Sequence, residues 1–232
     1  MRHRRAGAAA RDRARPTEER SLTALSPRFV GSFPRADQPL DPSLPELVFL
    51  GRSNVGKSSL LNALLGTRIA KVSGTPGKTR LLNVYEIPLG GAWAAVSGTA
   101  PAARALYFLD LPGYGYARAA KTERAGFRQL VERVLRRGRL AGALWLLDIR
   151  HEPSVDDRSL QDLFAEAGTR VLAAATKGDK LAQGARERRA RDLRDQLALD
   201  ADQIVVTSAK SGAGIDELRE AIVGLIGKVD DT

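Results

Sequence analysis

The run Gly51-Arg52-Ser53-Asn54-Val55-Gly56-Lys57-Ser58 places two glycines, a lysine and a hydroxyl at a spacing that captures phosphate. Leu47–Leu50 ahead of it reads as a short buried strand, and Ser59–Leu65 behind it as an apolar-rich helix. Glycines at such a junction let successive backbone N–H groups curl inward, and the helix adds the positive end of its dipole. Lys57 suits the β- and γ-phosphates of a nucleotide, and the Ser58 hydroxyl suits Mg²⁺. A glycine-rich turn without a ligand is the alternative, and correct flanks on both sides weigh against it. The loop specifies phosphate and leaves the base open.

Three further stretches carry chemistry. Asp110-Leu111-Pro112-Gly113 places a carboxylate where it would hold Mg²⁺ through a water, and a glycine whose N–H would approach a γ-phosphate. Thr176-Lys177-Gly178-Asp179 offers a carboxylate able to accept two hydrogen bonds from guanine, at its ring N–H and its exocyclic amine. Adenine lacks that donor pair, so Asp179 would stand unpaired against ATP. The Lys177 stem suits the face of the base. Thr207-Ser208-Ala209 would bring the Ala209 N–H to the guanine oxygen. Each stretch alone also fits an ordinary polar turn; their order along one chain is what points to guanine.

The elements that must position these loops alternate. Strand-like runs cover 47–50, 81–87, 105–109, 143–147, 171–175 and 204–206, and helical patterns cover 57–65, 122–137, 155–167, 184–199 and 214–226. This predicts an α/β fold, a mostly parallel six-stranded sheet with helices on both faces. No helix separates the second and third runs, so they form one antiparallel edge hairpin. Each chemical stretch follows a strand, at the end where ligands bind in open α/β sheets.

At these residues the chain resembles the EngB family of bacterial GTPases, within the translation-factor-related class of P-loop GTPases. The matching stretches are GRSNVGKSSLLNAL, GTPGKTRLLN, DLPGYGYA, DIRHEP, TKGDKL and TSAKSGAGIDEL, spanning Leu47 to about Ile226. The resemblance implies a Ras-like fold and GTP/GDP with Mg²⁺. It also implies a role in assembling the large (50S) ribosomal subunit, with precursor rRNA and ribosomal proteins as partners, and a link to normal cell division. Gly77-Lys78-Thr79-Arg80-Leu81 resembles a first switch, with Thr79 joining Ser58 as Mg²⁺ ligand in the GTP state. Asp110–Gly113 resembles the second switch.

Three departures qualify the resemblance. Tyr114 follows Gly113, where Ras-type enzymes place a water-orienting glutamine, so slow intrinsic hydrolysis is expected. Asn54 resembles an asparagine that coordinates K⁺ in related GTPases. The base-reading motif begins with Thr176 rather than asparagine, which is usual for this family. The segment 89–104, rich in glycine, alanine and proline and containing Trp93, reads as a floppy hairpin insertion.

Composition sets outer bounds. The 232 residues contain no cysteine, which excludes disulfides and cysteine-ligated metals. No apolar run is long enough for a bilayer span, so a cytoplasmic location is expected, with no membrane partner and a monomer by default. The net charge of +10 favours polyanionic partners, or reflects free use of arginine on a solvated surface. Residues 1–21 read as a disordered arginine-rich tail, 22–46 as an extended lead-in, 47–228 as the nucleotide domain and 229–232 as a second tail. Five arginines between Arg186 and Arg194 crowd one predicted helix, interleaved with Glu187 and Asp192. They fit a salt-laced face or an RNA contact. His151-Glu152 lacks the second histidine of a zinc helix. Two functions are compatible with this sequence: a switch enzyme, or a nucleotide-gated RNA- or protein-binding module. A P-loop ATPase or kinase is disfavoured by Asp179.

Overall fold

Runs that alternate in side-chain direction with apolar residues at every position must be covered on both faces. In the computed structural model, which describes residues 26–70, 81–97, 103–115 and 121–227, five largely apolar runs and two mixed ones, 28–33 and 82–88, pair into a single sheet. The elements in chain order are β1 (Arg28–Phe33), β2 (Glu46–Gly51), α1 (Lys57–Leu65), β3 (Leu82–Pro88), α2 (Ala92–Ser97) and β4 (Ala105–Asp110). They continue as α3 (Lys121–Leu135), β5 (Leu140–Asp148), α4 (Val155–Glu166), β6 (Val171–Thr176), α5 (Gln183–Gln196), β7 (Ile204–Val206) and α6 (Ile215–Gly227). The strand order is β1-β3-β4-β2-β5-β6-β7. Only β3 runs against the rest, antiparallel to β1 on one side and to β4 on the other.

Strand alternation sorts the core into two layers. Leu47 and Phe49 of β2, Phe108 of β4 and Leu144 and Leu146 of β5 pack beneath α1 and α6. Val48 and Leu50, Leu109 and Trp145 face the opposite way, beneath α3 and α4. The central strand β2 is buried at all six positions, so the phosphate loop that follows it starts from a fixed point.

The sheet has seven strands where the sequence predicts six. The segment 22–46, expected as an extended lead-in, supplies β1, which covers the free backbone edge of β3. Its side chains hold that register: Phe29 lies 5.3 Å from Tyr85 and Ser32 Oγ donates to Asn83 at 2.6 Å. Residues 1–21 and 229–232 lie outside the described residues.

The insertion at 89–104 also departs from expectation, for its described part is no floppy hairpin. Ala92–Ser97 forms α2, and Trp93 is 5% exposed, edge-on to Phe108 at 6.0 Å. The Arg219 guanidinium of α6 lies 5.9 Å from the Trp93 ring centre and donates to the carbonyls of Ala63 and Leu64 at the end of α1. A large aromatic surface outweighs the low ordering tendency of the surrounding glycines and alanines. Trp93→Ala is expected to destabilise the fold by about 3 kcal/mol, measured by urea denaturation. A loss under about 1 kcal/mol would mean that α2 is not held by this contact.

Candidate functional site

The phosphate loop is built by backbone bonds to the segment after β4. The Tyr114 N–H donates to Gly51 O at 3.3 Å and the Ser53 N–H donates to Tyr114 O at 2.8 Å. Asn54 and Gly56 take positive φ angles of 64° and 101°, curling the chain before α1 begins at Lys57. Gly113 comes so close that a β-carbon there would sit 3.0 Å from Ser53 Oγ and 3.1 Å from Ser53 N. Lys57 Nζ meets Asp110 Oδ1, and both side chains are nearly buried. Asn83 Nδ2 lies 3.5 Å from the other Asp110 oxygen.

These residues fit a magnesium nucleotide on the chemistry of the donor set. The curled loop at a helix N-terminus suits an anion, Lys57 is a cation beside it, and Ser58 and Asp110 supply hard oxygen atoms for a divalent ion. Ser53 Oγ, sealed from solvent with no hydrogen-bond partner among the described residues, is a further polar atom within this cradle.

The two loops of the base-reading region are tied to the phosphate loop and to each other. The Thr176 hydroxyl lies 2.7 Å from Val55 O and 3.1 Å from Leu147 O. Lys177, itself in the left-handed region, donates from Nζ to Asn54 O at 2.6 Å and to Asp148 Oδ2 at 2.8 Å. The Gly178 N–H donates to Thr207 O at 2.9 Å. Ser208 Oγ donates to Asp179 Oδ1 at 2.8 Å, and that hydrogen bond holds the carboxyl below its ordinary range, so it is ionised at neutral pH. Ala209 follows on the exposed rim. The structure thus brings Gly51–Ser58, Asp110–Gly113, Thr176–Asp179 and Thr207–Ala209 together at the carboxyl ends of the parallel strands. Gly77, Lys78, Thr79 and Arg80 lie outside the described residues, and Leu81 is exposed just before β3.

Three residues that sequence reasoning left without a role complete this framework. Asn62 of α1 accepts from the N–H groups of Ile69 and Ala70 and donates to Ala70 O, clamping the chain that leads to residue 71. Its only sequence signal is a polar residue inside an apolar helix.

Asp148, the first residue of DIRHEP, binds Arg150 at 2.7 and 2.9 Å as well as Lys177. Burial pushes its carboxyl up, but the bonds from Arg150 and Lys177 outweigh it and hold the group well below its ordinary 3.8. A depressed folded-state pKa stabilises the fold above the unfolded value, and that stabilisation is lost as pH falls through the folded one. Asp148→Asn is therefore expected to flatten the acid limb of stability below about pH 4, measured by denaturation across pH. An unchanged limb would remove Asp148 from that role.

The third is Asp157, in the first turn of α4, which fixes Tyr114. Tyr114 is buried; its hydroxyl donates to Asp157 Oδ1 at 2.6 Å and accepts from Trp145 Nε1 at 2.9 Å. Burial first, then the Asp157 carboxylate, raises the phenol pKa well above its ordinary value. Tyr114 therefore packs into the core beside Phe127, with its hydroxyl engaged there.

A strand, phosphate loop and helix, an Asp-x-x-Gly segment lying on that loop and a Lys-x-Asp segment bonded to it define a P-loop GTPase domain. A family model described as "50S ribosome-binding GTPase" matches residues 46–177. A "Probable GTP-binding protein EngB" of Gemmatimonas aurantiaca is 42% identical over 190 residues, covering 81% of this chain and 86% of the relative. The protein of the same name from Syntrophomonas wolfei is 41% identical, covering 79% and 88%. Among solved structures, a probable GTP-binding protein EngB superposes with a TM-score of 0.60 at 21% identity, covering 79% of this chain and 99% of that one. Aquifex aeolicus Era bound to GDP and AlF4⁻ superposes with a TM-score of 0.59 at 26% identity, covering 78% and 56%. The chain belongs to the EngB family of GTP-binding proteins.

Proposed function

We propose that this protein hydrolyses GTP to GDP and phosphate as a switch in large (50S) ribosomal subunit assembly, acting as a cytoplasmic monomer and needed for normal cell division. The observation that carries this reading is the convergence of Lys57, Asp110 and the Asp179–Ser208 pair at one end of the sheet. The matching family's description as ribosome-binding supports the partner. Gly51–Ser58 would cradle the phosphates, with Ser58 and Thr79 as Mg²⁺ ligands and Asp110 holding the ion through water. The ion would neutralise charge on the β- and γ-oxygens. Thr79 would lose its contact when the γ-phosphate leaves, which makes 77–81 the nucleotide-sensitive segment.

A second reading, a nucleotide-gated RNA- or protein-binding module with incidental hydrolysis, is favoured by one observation: the Tyr114 hydroxyl is committed to Asp157 and Trp145. Ser58→Ala separates the two from the loss of any nucleotide role. In sucrose gradients, cells relying on that variant are expected to accumulate immature large subunits. Normal maturation would refute the switch.

For hydrolysis itself, Asn54 would hold a K⁺ ion, which would supply positive charge to the transition state. Turnover at saturating GTP is expected to be roughly tenfold faster in potassium than in sodium buffer. Equal rates would exclude K⁺.

A further inference from the structure

The carboxyl ends of the strands hold the nucleotide loops, and the opposite pole carries a groove of about 590 Å³. Its walls are the 37–44 segment and the turn from α3 into β5, with Arg133, Arg136, Arg137 and Arg139 along one side. Four arginines fall within seven residues there, with no carboxylate among them. Their fates differ. Arg137 is consumed by Glu46 in a two-bond pair, so neither carries net charge to the groove. Arg133, Arg136 and Arg139 are exposed, and none of them meets a carboxylate among the described residues. Among the described residues, the Arg139 side chain reaches the Ser43 carbonyl alone, at 3.5 Å. Asp37, the other acid in the groove, is 72% exposed and lies 3.8 Å from Arg35. Pro39, Leu40 and Leu44 complete the lining.

Charge elsewhere is spent differently. On α5, Arg189 pairs with Glu152 and Asp192, and Arg194 with Asp195. Its Arg188 and Arg191, which form no ion pair among the described residues, are interleaved with those carboxylates, which suits a solvated face. Arginines at the end of α3 also complement the helix dipole, but that role is worth a few tenths of a kcal/mol to about 1 and falls off within the last turn. It does not account for Arg139 or for a groove of this size.

We infer that this pole is an RNA-docking surface: Arg133, Arg136 and Arg139 grip the phosphodiester backbone of a folded RNA. Guanidinium groups bind phosphate oxygens in pairs and release counterions on contact. The inference rests on the proposed ribosomal role for the source of that RNA. The geometry adds that docking leaves the nucleotide accessible. The groove lies at the start of β5 and the GTP loops beyond its end, nine residues or about 30 Å away at ~3.3 Å each.

The test uses the full chain, wild type and R133Q/R136Q/R139Q, with Arg137 retained to keep the Glu46 pair intact. A fluorescently labelled 23S rRNA transcript is titrated across salt concentrations, fluorescent GDP reports the nucleotide site, and co-sedimentation with large-subunit precursors reports the particle. GDP affinity and thermal midpoint are expected to be unchanged. RNA affinity is expected to fall roughly tenfold or more, and the slope of log K against log salt to shrink by about 2. R188Q/R191Q is expected to change neither. Unchanged affinity and slope in the triple variant would overturn the inference while leaving the GTPase reading intact. RNA binding retained with co-sedimentation lost would assign the pole to an acidic protein and overturn the RNA assignment. Wild type that sediments with particles but binds no transcript would also overturn it, whereas wild type that does neither removes the ribosomal role as well.

Discussion

Asp179→Asn is expected to reverse the nucleotide preference of this protein from guanosine to xanthosine nucleotides. The Asp179 carboxylate is ionised and held in one rotamer by Ser208, which leaves its second oxygen as an acceptor. Guanine presents two donors on one edge, and a carboxylate satisfies both. An asparagine amide replaces one acceptor with a donor that faces a guanine donor, while xanthine offers the acceptor that amide needs. Sites built on such bonds reject the unmatched partner strongly, so GTP affinity is expected to fall roughly 10²–10⁴-fold, with XTP bound in its place. Because Asp179 lies exposed in the short 3₁₀ turn Gly178–Lys180 and Ser208 can still donate to the amide oxygen, the thermal midpoint is expected to stay within about 2 °C. Titration calorimetry with GTP, XTP and ATP measures this directly. Unchanged GTP preference in a folded variant would remove Asp179 from base recognition.

The second large effect concerns stability. Arg137→Met is expected to cost about 3–5 kcal/mol, because it leaves the Glu46 carboxylate buried without its partner. Glu46 is 4% exposed at the start of the central strand, and Arg137 chelates both of its oxygens. The same guanidinium donates to Ala36 O and Gln38 O, so it also ties the segment after β1 to the sheet. The expected loss corresponds to a midpoint lowered by roughly 10 °C. The double variant Glu46→Met/Arg137→Met is expected to recover much of this loss, since no unpaired charge remains. A single variant as stable as wild type, or a double variant worse than the sum of the singles, would show that the pair does not act as described.

Local pattern determined most of the architecture on its own. The phosphate loop, the spacing of Gly51 and Lys57, and five helices within two or three residues of their observed ends were all legible. They depend on periodicity and on short-range glycine and lysine chemistry, which a single segment displays in full. Of the six predicted strands, 204–206 is met residue for residue and the other five differ only at their ends; Leu140–Gly142, for example, extend β5 ahead of the predicted run.

The tertiary structure decided what depends on distant partners. The segment 28–33 becomes a strand because β3 presents a free edge 50 residues later, a fact that no pattern within RFVGSF displays. Trp93 orders α2 because Phe108 and Arg219 enclose it, which composition alone read as a floppy insertion. Asp148 and Asp157 gain their roles only when Lys177 and Tyr114 are brought against them. The same holds for charge: sequence counts arginines, but burial and pairing decide which remain free. Arg137 spends its charge on Glu46, while Arg133, Arg136 and Arg139 beside it keep theirs. Sequence distance carries no information about such contacts, because they are set by how the two layers of helices close over the sheet.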